Sequence, residues 1–143
     1  MLLLHKTNIM KKNSYKLLSI ILIESFFKRA PFIDFSNDKL HNGINIDIKN
    51  SINENILGVT VTLNFISKIE DKEVISSEIK MVGNFEFSKE TNIPLDDFGK
   101  INAPAIIFPF IREHLSNVSM KAGIQPILLP PINFVNLAKE KKK

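Results

Sequence analysis

Two stretches in which apolar and polar side chains alternate constrain this chain more than any other feature. In residues 57–65 the apolar parity carries Leu57, Val59, Val61, Leu63 and Phe65. In residues 75–87 it carries Ile75, Ile79, Met81, Phe85 and Phe87. A period of two is typical of strands that bury one face. Because Glu70-Asp71-Lys72 has turn composition, the two stretches predict a long antiparallel hairpin.

Two more strands are predicted ahead of this hairpin. Residues 15–28 are apolar at both parities, so this strand must be covered on both faces, by its own core and by an assembly partner or a client. An irregular stretch, residues 30–41, follows it. Ile44, Ile46 and Ile48 then alternate with polar residues and predict a half-buried strand. Gly83 interrupts the fourth strand, where we expect a bulge or close packing.

The next element is a helix whose start is marked by prolines. Asn102 is a candidate N-cap, and Pro104 is tolerated in a first turn. Because Pro109 would break a helix already under way, we expect the regular part to begin near Phe108. Gly123 supplies the stop. The expected apolar stripe is Ile111, Leu115, Val118 and Ala122, and the expected polar face is Arg112, Glu113, Ser116 and Ser119.

The C-terminal part combines a proline-rich loop with a second helix. Three prolines exclude helix from residues 125–131, although Ile127-Leu128-Leu129 is strongly apolar. Asn133 is expected to cap a short helix carrying Phe134 and Leu137. Strands followed by helices predict an α+β domain, with helices on one face of an antiparallel sheet. We expect a single domain over residues 15–138, a flexible segment 1–14 in which Met10 is an alternative start, and a basic tail 139–143.

Composition narrows the class of protein. With 143 residues and no cysteine, the chain is long enough for one domain and has no thiolate or disulfide chemistry. Much of its net charge of +4 comes from lysines near its ends. We read these as solvated tails and expect no nucleic-acid binding, although a tail that binds nucleic acid is an alternative. The apolar run 17–23 is shorter than the roughly 20 residues of a membrane span. The chain is therefore expected in the cytoplasm, without membrane insertion.

No group of residues predicts catalysis. The three histidines, His5, His41 and His114, are scattered and lack partners at metal-ligand spacing. Asp96-Asp97 has the composition of a turn, and no nucleophile lies next to a base in the sequence. We expect no enzyme activity, no metal and no cofactor.

Two C-terminal motifs resemble the SecB family of export chaperones. Residues 104–113 read PAIIFPFIRE and residues 123–134 read GIQPILLPPINF; both match the pattern around that family's long helix, connecting loop and final helix. The resemblance covers roughly residues 15–137. It implies a four-stranded antiparallel sheet with one long and one short C-terminal helix, assembled as a dimer of dimers. It also implies an ATP-independent holdase that binds unfolded precursor polypeptides for export.

The resemblance also implies two sets of site residues. Glu24 and Glu78 would dock the SecA motor, although Lys28-Arg29 stand where the family has an acidic residue. Divergent relatives protect the antitoxin of a toxin–antitoxin module, which is the alternative function. The surplus apolar surface adds Phe26 and Leu128 to the client-binding set, which is then Phe26, Phe32, Phe35, Ile44, Ile46, Ile48, Leu128, Phe134 and Leu137.

Overall fold

Four long strands form one antiparallel sheet in the computed structural model, which describes residues 15–89 and 91–141. The strands are β1 (Tyr15–Arg29), β2 (Leu40–Asn53), β3 (Ile56–Ile69) and β4 (Lys72–Phe87). Their order in the sheet is β1-β4-β3-β2, so β1 and β2 are the edges. The predicted α+β architecture, with a long and a short C-terminal helix, is confirmed. The segment expected to be flexible, residues 1–14, lies outside the described residues.

The predicted hairpin is the centre of the sheet. β3 and β4 pair along their whole length, with Leu63 opposite Ile79 and Val61 opposite Met81. Glu70 takes a left-handed conformation in the turn, with φ of 57°. The apolar parity of both strands is buried under the helices, while the other parity forms an outer face that is partly exposed. Alternation therefore fixed which face of this hairpin the core occupies.

Helical structure begins earlier than the sequence indicated. A short helix α1 (Leu95–Asp97) leads through a π-helical turn (Phe98–Asn102) into the long helix α2 (Ala103–Lys121). Asn102 is helical, with φ of −71°, and its side chain makes no capping hydrogen bond, so the N-cap prediction is wrong. The chain is already helical here, since the amide of Ala103 donates to the carbonyl of Phe98 five residues earlier.

Pro109 lies inside α2 and does not delay its start, which contradicts the expected start near Phe108. A proline in a helix leaves the carbonyl four residues earlier, here that of Ala105, without its usual donor. Both residues are exposed, so this carbonyl lies on the side where water can bind it. The proline is tolerated because the missing hydrogen bond falls on the solvent side of the helix.

The end of α2 follows the prediction, with one correction. Gly123 has φ of 76°. Its amide donates to the carbonyl of Met120, and the amide of Ile124 donates to the carbonyl of Ser119. This pair of hydrogen bonds is the Schellman motif that glycine favours. Ser119, however, was expected on the polar face and is fully buried. Its hydroxyl donates to the carbonyl of Ser116 at 2.8 Å and accepts from the amide of Ile127 at 2.9 Å.

The final helix α3 (Phe134–Lys141) is capped as expected, since the Asn133 side chain accepts from the amide of Asn136 at 3.0 Å. The helix continues through Lys141, so residues 139–141 of the expected tail are helical. The ammonium of Lys141 donates to the carbonyl of Ile46 on the β2 edge at 2.7 Å and lies 3.7 Å from the Asp47 carboxylate. These contacts hold the end of α3 against the sheet.

Helix α2 packs on β3 and β4 through Ile107, Phe108, Ile111 and Leu115. Gly83 on β4 makes this possible: a Cβ atom there would lie 2.7 Å from Cδ1 of Ile107. Gly83 causes no register shift between β3 and β4. Of the two expected roles, close packing and a bulge, close packing is the one observed.

We predict that Gly83→Ala lowers the free energy of unfolding by about 1–3 kcal/mol, because the added methyl forces Ile107 away from the sheet. Gly43→Ala is the matched control, since Gly43 is also in a strand and a Cβ atom there meets nothing within 4 Å. It should leave stability unchanged or raise it slightly. Urea unfolding of both variants measures the difference. Equal midpoints would contradict the packing role of Gly83.

Candidate functional site

An open apolar groove lies on the helix side of the sheet, at the end where β2 begins and α2 ends. Its volume is about 610 Å³, and apolar atoms make up most of its surface. Among the residues that the structure describes, no charged side chain contributes to its lining. The lining residues are Phe35, Leu40, Asn42, Ile44, Phe65, Ser67, Ile75 and residues 124–130.

One wall of the groove is the loop between β1 and β2, residues 30–39, which we call the crossover loop. The Asp34 carboxylate accepts from the amide of Ser36 at 3.1 Å and from its hydroxyl at 2.6 Å. These hydrogen bonds stabilise the ionised carboxyl and lower the pKa of Asp34 below its ordinary value. Farther along, the Asn37 side chain accepts from the amide of Lys39 at 2.8 Å. Phe35 therefore lies within one ordered turn, and a second ordered turn follows it.

The opposite wall is the loop between α2 and α3, residues 123–133, which we call the connecting loop. The buried Ser119 hydroxyl holds its start through the amide of Ile127. Leu129 is buried and belongs to the hydrophobic core, whereas Leu128 next to it is 79% exposed. Buried side chains thus alternate with exposed ones in this loop. The buried ones anchor the loop to the hydrophobic core, while the exposed ones present apolar surface to solvent.

Three of the predicted client-binding residues meet in this groove. Phe35 comes from the crossover loop, Ile44 from β2 and Leu128 from the connecting loop. All three are at least partly exposed, as a binding surface requires. They lie far apart in the sequence, and the fold brings them together.

Four others lie where α3 packs on β2: Phe134 and Leu137 on α3, and Ile46 and Ile48 on β2. Ile46 and Phe134 are each only 5% exposed, because α3 covers this part of the sheet. The ring of Phe134 packs edge-on against that of Phe108, with centroids 5.7 Å apart. Ile48 and Leu137 line a separate cavity of about 350 Å³ between β2, α1 and α3. Ile46 and Phe134 therefore act here as core residues.

The remaining two lie outside the groove. Phe32 is 85% exposed and lies beside the β3–β4 turn, near Ile69 and Val74. Phe26 on β1 pairs with Glu78, on the outer face of the sheet away from the helices. β1 contains two register shifts, and each one reverses which side chains of the following residues face outward. The alternation of apolar residues alone could not locate these shifts.

Sequence reasoning missed part of the groove. Phe65 and Ile75 were assigned to the strand core and also form the groove floor, together with Ser67. Ser67 was the available signal, since it places a hydroxyl on the apolar parity of β3 next to Phe65.

The two residues expected to dock a motor lie together on the outer face of the sheet. Glu24 on β1 pairs with Lys80, two residues along β4 from the Phe26–Glu78 pair. A hydrogen bond with the Glu24 carboxyl and repulsion by its charge raise the pKa of Glu78, and nearby Lys80 partly opposes this. Lys28 on the same face pairs with Ser76. This surface is therefore mixed in charge rather than uniformly acidic.

None of the helices in residues 15–89 and 91–141 combines the length and apolar composition that crossing a bilayer requires. Within the same residues, no three His, Asp or Glu side chains are grouped as ligands of one metal ion.

The fold is that of the SecB-like chaperones. A SecB-like chaperone of Mycobacterium tuberculosis, solved in complex with a ChAD peptide from the HigA1 antitoxin, superposes with a TM-score of 0.74. That match covers 84% of this chain and 91% of the other, at 12% sequence identity.

The chain belongs to the SecB family, whose profile, described as preprotein translocase subunit SecB, matches residues 27–143. The protein-export protein SecB of Methylobacillus flagellatus is 35% identical over 103 residues, which is 70% of this chain and 66% of that protein. The SecB of Aromatoleum aromaticum is 32% identical over 107 residues, 74% of this chain and 67% of that protein. The chain thus spans about two thirds of the length of these relatives.

We predict that Glu24→Gln lowers the pKa of Glu78 towards its ordinary value, because the variant removes a neighbouring negative charge and can donate a hydrogen bond. A raised pKa in the folded state means that folding takes up protons, so wild-type stability should fall as pH rises from the ordinary value through the raised one. Carbon-13 NMR titration of the Glu78 carboxyl and urea unfolding across this range measure both effects. Glu86→Gln, farther along β4, is the control and should change neither.

Proposed function

We propose that this protein is an ATP-independent holdase of the cytoplasm, which binds unfolded, extended segments of precursor polypeptides before their export. The observation that carries the proposal is the open apolar groove between the crossover and connecting loops. Membership of the SecB family and the names of the protein-export relatives support it. Burial of client side chains supplies the binding free energy, so no nucleotide is needed to drive association.

The groove suits segments that are apolar and uncharged. Its lining combines apolar side chains with the neutral polar groups of Asn42, Ser67 and Gln125. A buried charge without a partner costs far more than a buried apolar side chain gains. The site would therefore select stretches that a folded protein keeps inside, which distinguishes unfolded clients from folded ones.

Assembly as a dimer of dimers belongs to the same proposal. β1 is an edge strand and exposes large apolar side chains along most of its length. Ile106 and Phe110 of α2 are also exposed, at 39% and 49%. Exposed apolar surface of this extent is typical of protein–protein interfaces. Oligomerisation through β1 and α2 would cover it and leave the groove open.

A second candidate function is protection of the antitoxin of a toxin–antitoxin module. The solved SecB-like chaperone with this fold carries an antitoxin peptide, and the outer sheet face here has Lys28 and Lys80 among its carboxylates. The mixed charge of that face makes docking to the SecA motor through Glu24 and Glu78 less favourable than on an acidic face.

The first test uses Leu128→Ser, which removes an exposed apolar side chain from the connecting loop with little effect on folding. Burial of one leucine contributes about 1.5–3 kcal/mol, so client affinity should fall at least tenfold. Binding of reduced, carboxymethylated α-lactalbumin, which stays unfolded, measures this.

The matched control is Ile52→Ser, because Ile52 is 58% exposed on β2 and lies outside the groove lining. It should bind as the wild type does. Equal affinity of all three proteins, or failure of the wild type to slow aggregation of a denatured client, would refute the proposal.

The second candidate predicts a narrower client range. If a toxin–antitoxin pair is encoded beside this gene, co-expression with the wild type should lengthen the half-life of that antitoxin, and Leu128→Ser should abolish the effect. A pulse-chase experiment measures the half-life. Equal binding of many unrelated unfolded proteins would favour the export chaperone instead.

A further inference from the structure

Arg29, the last residue of β1, connects the start of the loop that follows it with the end of α2. Its guanidinium donates to the carbonyl of Ala122 at 2.7 Å, to that of Ala30 at 2.9 Å and to that of Pro31 at 3.3 Å. Each of the three guanidinium nitrogens uses a different carbonyl. Among the described residues, its hydrogen-bond partners are all backbone carbonyls, and it forms no ion pair with a carboxylate.

These contacts suit an arginine for two physical reasons. Ala122 is the C-cap of α2, and the last carbonyls of a helix lack intrahelical donors and attract positive charge. The guanidinium is also a rigid planar fork, so its N–H groups can satisfy carbonyls that lie in different directions. A lysine could supply the positive charge, but its compact ammonium group lacks the planar arrangement of N–H donors that reaches three carbonyls.

The three carbonyls lie at the points in the chain where the two groove walls begin. Ala30 and Pro31 begin the crossover loop, which carries Phe35. Ala122 closes α2 immediately before the connecting loop, which carries Leu128. One half-buried side chain thus connects the two positions in the chain at which the groove walls begin.

We propose that Arg29 is a positioning residue that sets the width of the client groove by holding the crossover and connecting loops at a fixed separation. This inference rests on the proposed function, because it assigns the groove to clients. It also gives a role to one residue of the Lys28-Arg29 pair, which stands where the family has an acidic residue: the positive charge of Arg29 caps α2 and orders the site.

The separation of the walls can be measured directly. Because the chain has no cysteine, Asp38→Cys and Gln125→Cys place one spin label on each wall, at exposed side chains that make no hydrogen bond in the described structure. Pulsed electron–electron double resonance gives the distribution of distances between the labels. Dilution with unlabelled protein removes contributions from neighbouring copies.

Arg29→Met keeps the length of the side chain but removes all three hydrogen bonds. We expect a broader distance distribution and about tenfold weaker binding of carboxymethylated α-lactalbumin, since hydrogen bonds to charged groups are among the stronger ones. Lys28→Met is the matched control: it removes the same charge from the adjacent, exposed position on the outer face and should change neither property.

Arg29→Lys separates positioning from stability. It retains a positive charge at the end of α2, so its urea midpoint should recover most of the loss seen in Arg29→Met. It cannot hold three carbonyls, so its distance distribution should stay broad and its affinity for the client low. Affinity that simply follows the urea midpoint would overturn the proposal, as would a wild-type distance distribution in Arg29→Met. If the wild type itself fails to bind the client, the proposed function fails, and the distance distributions alone decide the role of Arg29.

Discussion

The contact between Ile107 and Gly83 determines how the rest of the molecule is arranged. Because Gly83 has no side chain, α2 approaches β4 closely enough for Ile107, Ile111 and Leu115 to be fully buried. This close packing fixes the direction of α2, and therefore the place where it ends. The connecting loop starts at that end, so the position of the groove depends on a helix that packs tightly against a glycine about 20 Å away along the helix axis.

The charged groups at the two faces of the sheet have different roles. On the helix side, Arg29 and Lys141 donate to backbone carbonyls and hold loops and helix ends in place. On the outer face, a hydrogen bond with the Glu24 carboxyl and repulsion by its charge raise the pKa of Glu78, and nearby Lys80 partly opposes this. Arg29 thus connects the segments that form the groove walls and Lys141 holds the end of α3, whereas the outer-face charges shape a surface available to a partner.

Strand pattern, the end of α2 and the cap of α3 were predictable because each depends on residues close together in sequence. The start of α2 was not, since tolerance of Pro109 depends on which side of the helix faces water. The positions of Phe26 and Phe32 were also not predictable, because register shifts in β1 and the path of the crossover loop determine them. Ile46 and Phe134 were identified as apolar, but only the packing of α3 shows that they are buried.

The sequence by itself determined the hairpin, the fold class and the family, because alternation and local motifs carry that information within short windows. Tertiary structure decided which apolar residues form a groove and which form the core. Phe35, Ile44 and Leu128 meet across more than ninety residues of chain, and a one-residue shift in any strand would separate them. It also decided the role of Arg29, since a side chain that connects three backbone carbonyls has no signature in sequence: its partners are defined by position in space, not by residue type.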